Sequence, residues 1–282
     1  MLPPWPHSRN MIEKLSALDA IGRLPDDEID ILAAAVELAR ADATSEAVSA
    51  AIAHGSELAR AAVALKDDGS AAGRAAVLGA LLVDRFGYRG DSDTYEDPRN
   101  ANLVAVLDRR KGLPVALGIV WIHAAHAAGW TAYGIDFPGH FLLGLAGTSD
   151  SIILDVFGGG TPCDARDLRA MVKRIDGPKA ELRPELLRPM GTRAVLLRLQ
   201  NNIKLRRLQS GDPRGALACN ETMLRIAPDA APLWNEAAQL HQRLDELREA
   251  INCYERLLQL LPDGADALRT RDTLAELRTR LN

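Results

Sequence analysis

Two side chains capable of acid-base chemistry stand in short glycine-containing motifs of this sequence. His140 lies in residues 137–143 (FPGHFLL), and Asp155 lies in residues 153–159 (ILDVFGG). An imidazole that is oriented by a carboxylate can act as a general base toward a thiol or a water molecule. The two motifs therefore indicate a site of the acyl-transfer or hydrolytic kind.

Two further motifs precede these along the chain. Residues 97–100 read DPRN, and residues 106–114 read VLDRRKGLP. Taken together and in this order, the motifs resemble those of the bacterial SirB1 family, in which a transglutaminase-like domain is followed by a tetratricopeptide-like tail. The resemblance covers about residues 30–280, and the order of the motifs makes it specific.

The resemblance implies a catalytic triad from which the nucleophile is missing. Transglutaminase-like enzymes use a Cys at the start of a buried helix as nucleophile, a His on the next strand as its base, and an Asp on the following strand to orient the His. His140 and Asp155 match the last two positions. Pro114, Val115 and Ala116 occupy the region of the first, and none of them can attack a carbonyl group. Because loss of the nucleophile removes the acyl-enzyme route, we expect a remnant of a triad.

The three cysteines are not expected to replace this nucleophile. Cys163 follows Asp155 in a loop, whereas Cys219 and Cys253 lie in the repeat helices. Lone cysteines usually pack as small apolar side chains. An odd number without closely spaced pairs also argues against a disulfide framework, so a reducing cytoplasm is the expected location.

The role of His140 has three alternatives at this point: a structural brace hydrogen-bonded to Asp155, a ligand-binding side chain, or an acid-base group. The DPRN residues, in turn, either cap a helix or rim the cleft that holds His140. The residues predicted to bind a partner are Asp97, Arg99, Asn100, Pro138, Gly139 and Trp234.

Other polar clusters are expected to be structural. His123 and His126 share a helix face but have no accompanying Cys or carboxylate, so packing is favoured over metal binding. Residues 109–111 (RRK) indicate a solvated helix end. The basic side chains of the first repeat helix either form a surface for an acidic partner or RNA, or are simply solvated. They are Arg193, Arg198, Lys204, Arg206 and Arg207. No metal and no cofactor are predicted.

The spacing of apolar residues predicts the elements that position these side chains. Residues 11 to about 86 have helical spacing, and Pro25 followed by acidic residues predicts a helix start. Residues 114–128 are apolar nearly all round, which predicts a buried central helix. The runs of strand character, which predict a small antiparallel sheet packed on that helix, are residues 131–135, 141–145 and 152–156.

The last hundred residues contain a repeat. Pro228 and Pro262 stand 34 residues apart, as do Ala216 and Ala250, and 34 residues is the tetratricopeptide period. The second copy carries Trp, Ala, Tyr and Pro at the positions of the repeat pattern, with Trp234 at the first of them, whereas the first copy is degenerate. Residues 265–282 are expected to form a capping helix, as a short solenoid needs.

Length and composition exclude several classes of protein. The 282 residues suffice for two domains, and the 4% aromatic content implies cores built from Leu, Ile, Val and Ala. A net charge of -4 without a long charge run makes nucleic acid a poor candidate partner. Residues 1–10 lack an apolar stretch of signal-peptide length and are expected to remain as a loose tail. The uncharged run at residues 115–135 is interrupted by Gly129-Trp130, so no membrane span is expected.

The sequence thus predicts an α+β fold, with a transglutaminase-like (papain-like) domain at residues 10–185 that includes a helical lead-in. A linker at residues 177–189 leads to an all-α tetratricopeptide-like domain at residues 190–282. The predicted function is non-catalytic: a cytoplasmic protein-binding or scaffolding module that binds a protein or peptide through its cleft and its repeats. The alternative is a hydrolase or amidase in which His140 and Asp155 activate water.

Overall fold

The computed structural model describes residues 16–281, so the tail expected at residues 1–10 lies outside the described residues. The helices are α1 (Ala17–Arg23), α2 (Ile31–Ala39), α3 (Ser45–Val63), α4 (Ala71–Gly79), α5 (Leu103–Arg109), α6 (Pro114–Ala127), α7 (Ala165–Asp176), α8 (Thr192–Gln209), α9 (Pro213–Ile226), α10 (Ala231–Arg243), α11 (Leu247–Leu260) and α12 (Ala265–Leu281). The strands are β1 (Arg89–Gly90), β2 (Lys111–Gly112), β3 (Ala132–Phe137), β4 (His140–Ala146), β5 (Ser151–Asp155), β6 (Thr161–Pro162) and β7 (Pro189–Met190).

The strands predicted from the sequence form an antiparallel sheet, and the α+β class is confirmed. The order of the strands is β6-β5-β4-β3-β7. β3 and β4 form a tight hairpin in which Phe137 lies opposite His140, and β5 pairs with β4 so that Leu154 lies opposite Leu143. A shift by one residue would turn the apolar side chains to the wrong face. The register therefore fixes which side chains reach each face of the sheet.

Helix α6 is the predicted buried helix, and it packs against one face of the sheet. Its Pro114 stands in the first turn, where the missing N–H has no intrahelical partner to lose. Phe141, Leu143 and Leu145 of β4 belong to the same core as α6. Gly118 allows the Phe141 ring to approach closely, since a Cβ at this glycine would lie 2.2 Å from Cε1 of Phe141. Across residues 16–281, no helix combines the length and apolar character needed to cross a bilayer.

Helix α7 covers the opposite face of the sheet. It begins with a capping box, in which the side chains of Asp164 and Asp167 accept hydrogen bonds from each other's backbone N–H. Leu168 and Val172 of α7 pack in one cluster with Leu142 of β4. Because side chains alternate along a strand, the odd-numbered residues of β4 face α6 and the even-numbered residues face α7.

The helical lead-in is confirmed, but its second helix begins later than the sequence predicts. Pro25 starts only a 3-10 turn at Asp26–Glu28. The reason is Asp30, whose carboxylate accepts hydrogen bonds from the backbone N–H groups of Leu32 and Ala33 and so caps α2. Most of α2 is buried, in contact with α3, α5, α6 and α8. The lead-in is therefore part of the core.

The segment at residues 177–189 was expected to be an irregular linker, and its second half is not. Pro184–Leu187 forms a 3-10 turn, and Pro189–Met190 forms β7, which pairs with Gly134 and Ile135 of β3. Proline is tolerated here because β7 is an edge strand. The chain thus adds a strand to the sheet before it enters the repeats. The division at residues 10–185 and 190–282 remains a prediction.

The repeats are confirmed as helix pairs: α8 with α9, and α10 with α11, followed by α12. Ala216 and Ala250, the small residues of the repeat pattern, are fully buried in the repeat core. Small side chains at these positions let the helices of a pair pack closely. Helix α12 covers the last pair with Leu274 and Leu277, as expected of a capping helix.

Helix α8 belongs to both parts of the molecule. Val195, Leu199 and Ile203 lie in the core around α6, whereas Leu197 also packs against the repeat core. The expectation that its basic side chains are solvated or form a free basic surface is wrong, because each binds an acidic residue of the same chain. The ion pairs are Arg193–Asp26, Arg198–Asp136, Lys204–Glu236, Arg206–Glu96 and Arg207–Asp42.

Candidate functional site

The start of α6, where the resemblance places the nucleophile, carries only apolar side chains. Leu113 caps the helix without a side-chain hydrogen bond, and Pro114 follows it. Leu113, Val115 and Ala116 are at most 2% exposed. Closely packed apolar side chains therefore occupy the region in which transglutaminase-like enzymes hold a thiol.

His140 opens β4 and is half-buried. Its backbone carbonyl accepts a hydrogen bond of 2.8 Å from Nη2 of Arg198, but its imidazole makes no hydrogen bond to any residue that the structure describes. Because Phe141 points to α6, His140 lies on the face of the sheet that α7 covers. The imidazole is thus on the opposite face from α6.

Asp155 ends β5, and its carboxylate is used to turn the chain. Its Oδ1 accepts hydrogen bonds from the backbone N–H groups of Phe157 at 2.9 Å and Gly158 at 3.2 Å, the geometry of an Asx turn. The structure therefore does not form the hydrogen bond between His140 and Asp155 on which the brace alternative depended. Because Leu154 points to α6, Asp155 also lies on the α7 face.

The other residues predicted near His140 have structural roles. Pro138 and Gly139 form the turn of the β3–β4 hairpin, where Gly139 has a φ of +65°. A Cβ at Gly139 would lie 2.6 Å from Cδ1 of Ile175, which covers the turn. A left-handed backbone and this close contact both favour glycine. The motif therefore builds a hairpin.

The DPRN residues hold the chain ahead of α5. Asp97 caps the 3-10 turn Pro98–Asn100 and forms an ion pair of 2.6 Å with Arg99. Asn100 is fully buried; its Nδ2 donates to the carbonyl of Thr94, and its Oδ1 accepts from Nη1 of Arg109. Arg99 lines a cleft to which β4 contributes no residue. The expected rim around His140 is therefore not formed, and the capping alternative is confirmed for Asp97.

Trp234 has a packing role in the second repeat. Its Nε1 donates a hydrogen bond of 2.8 Å to the carbonyl of Pro228, and its ring packs against the repeat core. A groove of about 490 Å³ lies between α10, α11 and α12, lined in part by Asn235, Gln239 and Tyr254. Trp234 does not line this groove, so the structure does not place it on a binding surface.

A polar cluster that the sequence analysis missed lies between α3 and the end of α5. It consists of His54, Glu57, Tyr88 and Arg110, and we call it the His54 cluster. Nδ1 of His54 lies 2.9 Å from Oε2 of Glu57, and Nε2 lies 3.0 Å from the phenolic oxygen of Tyr88. Nη2 of Arg110 lies 3.2 Å from Nδ1 of His54. A neutral imidazole that donates from Nδ1 to Glu57 and accepts at Nε2 from Tyr88 fits the first two distances, and Arg110 is then a charged neighbour of Nδ1 and not a hydrogen-bond donor to it.

Burial sets the charges of the His54 cluster. Burial lowers the pKa of His54 below its ordinary 6.5, and the positive charge of Arg110 acts in the same direction, against the opposing effect of Glu57. Burial also raises the pKa of Tyr88 to about 12. At neutral pH the imidazole and the phenol are therefore uncharged, and Arg110 carries the positive charge that faces the nearby cleft.

The short β1–β2 pair brings Tyr88 and Arg110 together. The backbone N–H of Arg89 donates to the carbonyl of Arg110, and Arg110 itself has a left-handed backbone with a φ of +59°. The solvated helix end predicted for residues 109–111 is wrong, because Arg109 binds the buried carboxylate of Asp91 at 2.8 Å. Hydrogen bonds from Thr94 and Arg109 lower the pKa of Asp91 to about 2, so this ion pair persists at neutral pH.

A cleft of about 940 Å³ opens beside the His54 cluster, between α3, α5 and α8. His54 and Arg110 line it together with Arg99 of the DPRN motif. One signal in the sequence pointed here: His54 and Glu57 share a face of α3. Their partners Tyr88 and Arg110 are 34 and 56 residues from His54, too far apart for local spacing to connect them.

The two histidines of α6, His123 and His126, form hydrogen bonds with backbone carbonyls. Nε2 of His123 lies 3.0 Å from the carbonyl oxygen of Gly55, and Nε2 of His126 lies 3.0 Å from that of Ala132. Residues 16–281 contain no group of three His, Cys, Asp or Glu side chains arranged to hold a metal ion. Both imidazoles therefore connect α6 to neighbouring segments.

Comparison with known proteins identifies the family. A sequence profile described as the transglutaminase-like superfamily matches residues 46–201, which is more than half of the chain. The chain belongs to the transglutaminase-like superfamily. A tetratricopeptide repeat profile matches residues 203–275 of this superfamily member. The domain order that the SirB1 resemblance implied is therefore confirmed.

Relatives of this transglutaminase-like chain occur in bacteria. It is 30% identical over 205 residues to a UPF0162 protein of Xylella fastidiosa strain Temecula1, covering 72% of this chain and 73% of that protein. It is 31% identical over 215 residues to a UPF0162 protein of Pseudomonas aeruginosa, covering 76% and 77%. A crystal structure of menin matches at 10% identity with a TM-score of 0.41, over 86% of this chain and 69% of that one.

The cysteines of this transglutaminase-like protein lie apart from the start of α6. Cys163 packs against the cluster under α7, and burial together with the charge of Asp155 raises its pKa to about 11. Cys219 in α9 and Cys253 in α11 are buried. Burial raises the pKa of both thiols, to about 11 for Cys253.

Proposed function

We propose that this chain is a non-catalytic member of its superfamily, a pseudoenzyme that binds a protein or peptide partner. The observation that carries the proposal is the start of α6. The buried apolar side chains of Leu113, Val115 and Ala116 fill it, together with the half-buried Pro114. Covalent acyl transfer needs a nucleophile that is activated next to its base, and none of these side chains supplies one.

The state of the thiols supports the same proposal. A thiol with a pKa of about 11 is ionised in about one molecule in ten thousand at pH 7, and this applies to Cys163 and Cys253. Reactive cysteines have the opposite property, since positive surroundings lower their pKa. The three unpaired thiols also fit a reducing compartment, and we therefore propose a cytoplasmic location.

The hydrolase alternative finds no geometric support at His140 and Asp155. A general base must be oriented so that its free nitrogen faces the water that it activates. Here the carboxylate of Asp155 accepts from backbone N–H groups, and the imidazole of His140 has no hydrogen-bond partner within residues 16–281. These two side chains are better explained as parts of a turn and a strand end.

The surfaces of the chain support binding. Helices α8 to α12 form tetratricopeptide-like repeats, which in general mediate protein interactions through their concave face. The groove at α10–α12 and the larger cleft beside the His54 cluster are both open to solvent and of a size that admits side chains of a partner. We infer a protein or peptide partner, and the net charge of -4 gives nucleic acid no general attraction.

The test has a catalytic arm and a binding arm, both with the full chain. In the catalytic arm, wild type and the His140→Ala variant are incubated with panels of amides, esters and acceptor amines. We expect no turnover above buffer for either protein. Turnover by wild type that His140→Ala abolishes while leaving the melting temperature unchanged would overturn the non-catalytic proposal.

In the binding arm, a displayed library of random peptides is selected on the immobilised full chain, and each recovered peptide is measured by calorimetry. We expect saturable binding at one peptide per chain. Recovery of no peptide with a stoichiometric isotherm would overturn the binding proposal.

A further inference from the structure

The cleft beside the His54 cluster has an apolar floor and a charged rim. Its floor is formed by small and aliphatic side chains of the three helices that surround it: Ala47, Ala50, Ala51, Ala105 and Ile203. Small side chains on the facing helices leave the floor of the cleft open instead of filling it. The cleft is therefore able to accept aliphatic side chains from another molecule.

Among the arginines of this cleft, Arg110 differs from the others in its partners. Arg99 pairs with Asp97, Arg206 with Glu96, and Arg207 with Asp42. By contrast, no carboxylate of residues 16–281 lies within 4.0 Å of the Arg110 guanidinium. A guanidinium is always charged and binds carboxylates through paired N–H groups. Arg110 is therefore the cation of the cleft that retains its capacity for an external anion.

The guanidinium of Arg110 is held in place before any ligand arrives. It lies over the ring of Tyr88 with its central carbon 5.4 Å from the ring centroid, and Nη1 lies 3.5 Å from the phenolic oxygen. Its left-handed backbone ends α5, and its N–H donates to the carbonyl of Val106, so the start of the side chain is fixed by the end of the helix. Arg109, anchored on Asp91, fixes the preceding residue. A fixed cation binds its partner with less loss of side-chain freedom.

The remaining charges of the cleft select the kind of anion. Three carboxylates line it as well, those of Asp42, Glu96 and Asp108. Set against four arginines, they leave a formal balance of one positive charge, which a single carboxylate neutralises and the several charges of a polyphosphate would exceed. The lining contains no Phe, Tyr or Trp, so nucleotide bases would lack the large aromatic side chains on which they usually stack. The chemistry favours a peptide with an isolated acidic residue beside aliphatic ones.

We propose that this cleft binds an acidic peptide segment of a partner protein, with a Glu or Asp carboxylate on Arg110 and an adjacent aliphatic side chain on the alanine floor. This inference rests on the proposed binding function and assigns it to a site between the transglutaminase-like domain and the first repeat helix. The repeat groove at α10–α12 is a separate surface and does not contribute to it.

The test uses fluorescein-labelled peptides, acetylated at the N-terminus and amidated at the C-terminus, that carry one Glu among Leu, Ala and Ser in varied orders. A matched set carries Gln in place of Glu. Binding to the full chain is measured by fluorescence polarisation. We expect Glu peptides to bind about tenfold more tightly than their Gln counterparts, the difference that one charge-assisted contact supplies.

Three variants separate Arg110 from the general charge of the cleft. Arg110→Gln is expected to weaken the Glu peptides about tenfold and leave the Gln peptides unchanged, because only the former need the cation. Arg110→Lys, which keeps the charge, should restore part of the affinity. Arg99→Gln removes one positive charge from the same cleft, at an exposed side chain that already pairs with Asp97, and is expected to weaken the Glu peptides less than Arg110→Gln does. Circular dichroism and urea unfolding check that each variant is folded.

The outcomes distinguish this inference from the proposed function. If peptides bind but Arg110→Gln leaves their affinity unchanged, the inference is overturned and the binding function stands. If inorganic phosphate or ATP binds at Arg110 and displaces the peptides, the cleft is a phosphate site and the inference is overturned. If no peptide of either set binds, the inference is overturned, whereas the binding function is decided by the selection from random peptides.

Discussion

The guanidinium of Arg110 lies over the ring of Tyr88, 5.4 Å from its centroid, although the two residues are 22 positions apart in the chain. The parallel pairing of β1 with β2 creates this contact, since it aligns Arg89 with Lys111. Tyr88 is 1% exposed, so its ring is a fixed support. A short pair of strands thus positions the one arginine whose charge faces the cleft without a carboxylate partner in the described part of the chain.

Removal of the Tyr88 hydroxyl tests the His54 cluster. We expect Tyr88→Phe to lower the free energy of unfolding by about 1 kcal/mol, the net value of a buried hydrogen bond. The ring stays in place beneath Arg110, so the loss reports on the hydroxyl's bond to Nε2 of His54 and on its longer contact of 3.5 Å with Nη1 of Arg110. Urea unfolding measures it. Tyr133→Phe is the control, because the Tyr133 hydroxyl makes no hydrogen bond to residues 16–281, and a change of equal size there would contradict the prediction.

Protonation of His54 is expected to destabilise the fold. Burial lowers the pKa of His54 below 6.5 in the folded chain, so the unfolded chain takes up the proton first as the pH falls. The contribution of the neutral imidazole is complete above pH 6.5 and is lost as the pH falls from 6.5 through the lower folded pKa. The groups that face the imidazole are Glu57, Tyr88, Arg110 and the ring of Phe86.

The measurement compares urea unfolding at about pH 7.5 and about pH 5.5. Wild type should lose more stability between these values than His54→Gln, which has no proton to take up. An NMR titration of the His54 ring reports its pKa directly, and a value at or above 6.5 would contradict the prediction. If the cleft binds a carboxylate at Arg110, the acidic peptides should raise this pKa, because a nearby anion favours the charged imidazole.

The parts of the fold that were predictable from the sequence depend on local spacing. α6, the β3–β5 strands and the repeat pairs each carry their pattern within one segment, and the structure has them within a few residues of the predicted bounds. The His54 cluster was not predictable in this way. His54, Tyr88 and Arg110 come from separate elements, and only the β1–β2 pairing and the packing of α3 on α5 bring them together.

The motifs that carry the family resemblance do not fix which side chains meet. His140 and Asp155 were expected to form a remnant of a triad, yet they make no hydrogen bond to each other, and the strand register turns both to the α7 side of the sheet. For Asn100, capping a helix and lining the rim of the His140 cleft were the two alternatives. It is instead buried, and it holds Arg109 together with Asp91 behind Arg110. Strand register decides which face a residue occupies, and a motif alone does not contain that information.

Loss of the Asp91 charge is expected to loosen the support of Arg110. Asp91→Asn should lower the free energy of unfolding by about 2 kcal/mol at pH 7, since it weakens charge-assisted bonds to Arg109 and Thr94 in a buried site. Asp93→Asn is the control: that carboxylate is 83% exposed and lies 3.8 Å from Lys111, so the change should stay within about 0.5 kcal/mol.

The low pKa of Asp91 predicts how the stability of the fold changes in acid. The folded pKa of Asp91 is about 2, below the ordinary 3.8. The contribution of this carboxylate to the free energy of unfolding is therefore present above pH 3.8 and is lost as the pH falls toward 2. Wild type should lose this part of its acid stability and Asp91→Asn should not. If the free energy of unfolding falls by the same amount in both proteins over this pH range, the prediction is contradicted.

Two helical glycines with different surroundings test the packing of α6 on the sheet. Replacing a glycine by alanine inside a helix usually stabilises it by up to about 1 kcal/mol. At Gly79 the new Cβ would lie 3.9 Å from the nearest atom of Trp121, so Gly79→Ala should be stabilising. At Gly118 the new Cβ would lie 2.2 Å from Cε1 of Phe141, and the forced movement should cost about 1–3 kcal/mol.

Thermal and urea unfolding measure the difference in stability between Gly79→Ala and Gly118→Ala. The double variant Gly118→Ala with Phe141→Leu tests whether the Phe141 ring causes the loss at Gly118. Leucine lacks the ring atom that meets the new Cβ, so it should recover part of the loss caused by Gly118→Ala. Equal effects at Gly79 and Gly118 would mean that the Phe141 ring has room to move. The close contact of β4 with α6, which fixes the faces of His140 and Leu142, would then not depend on Gly118.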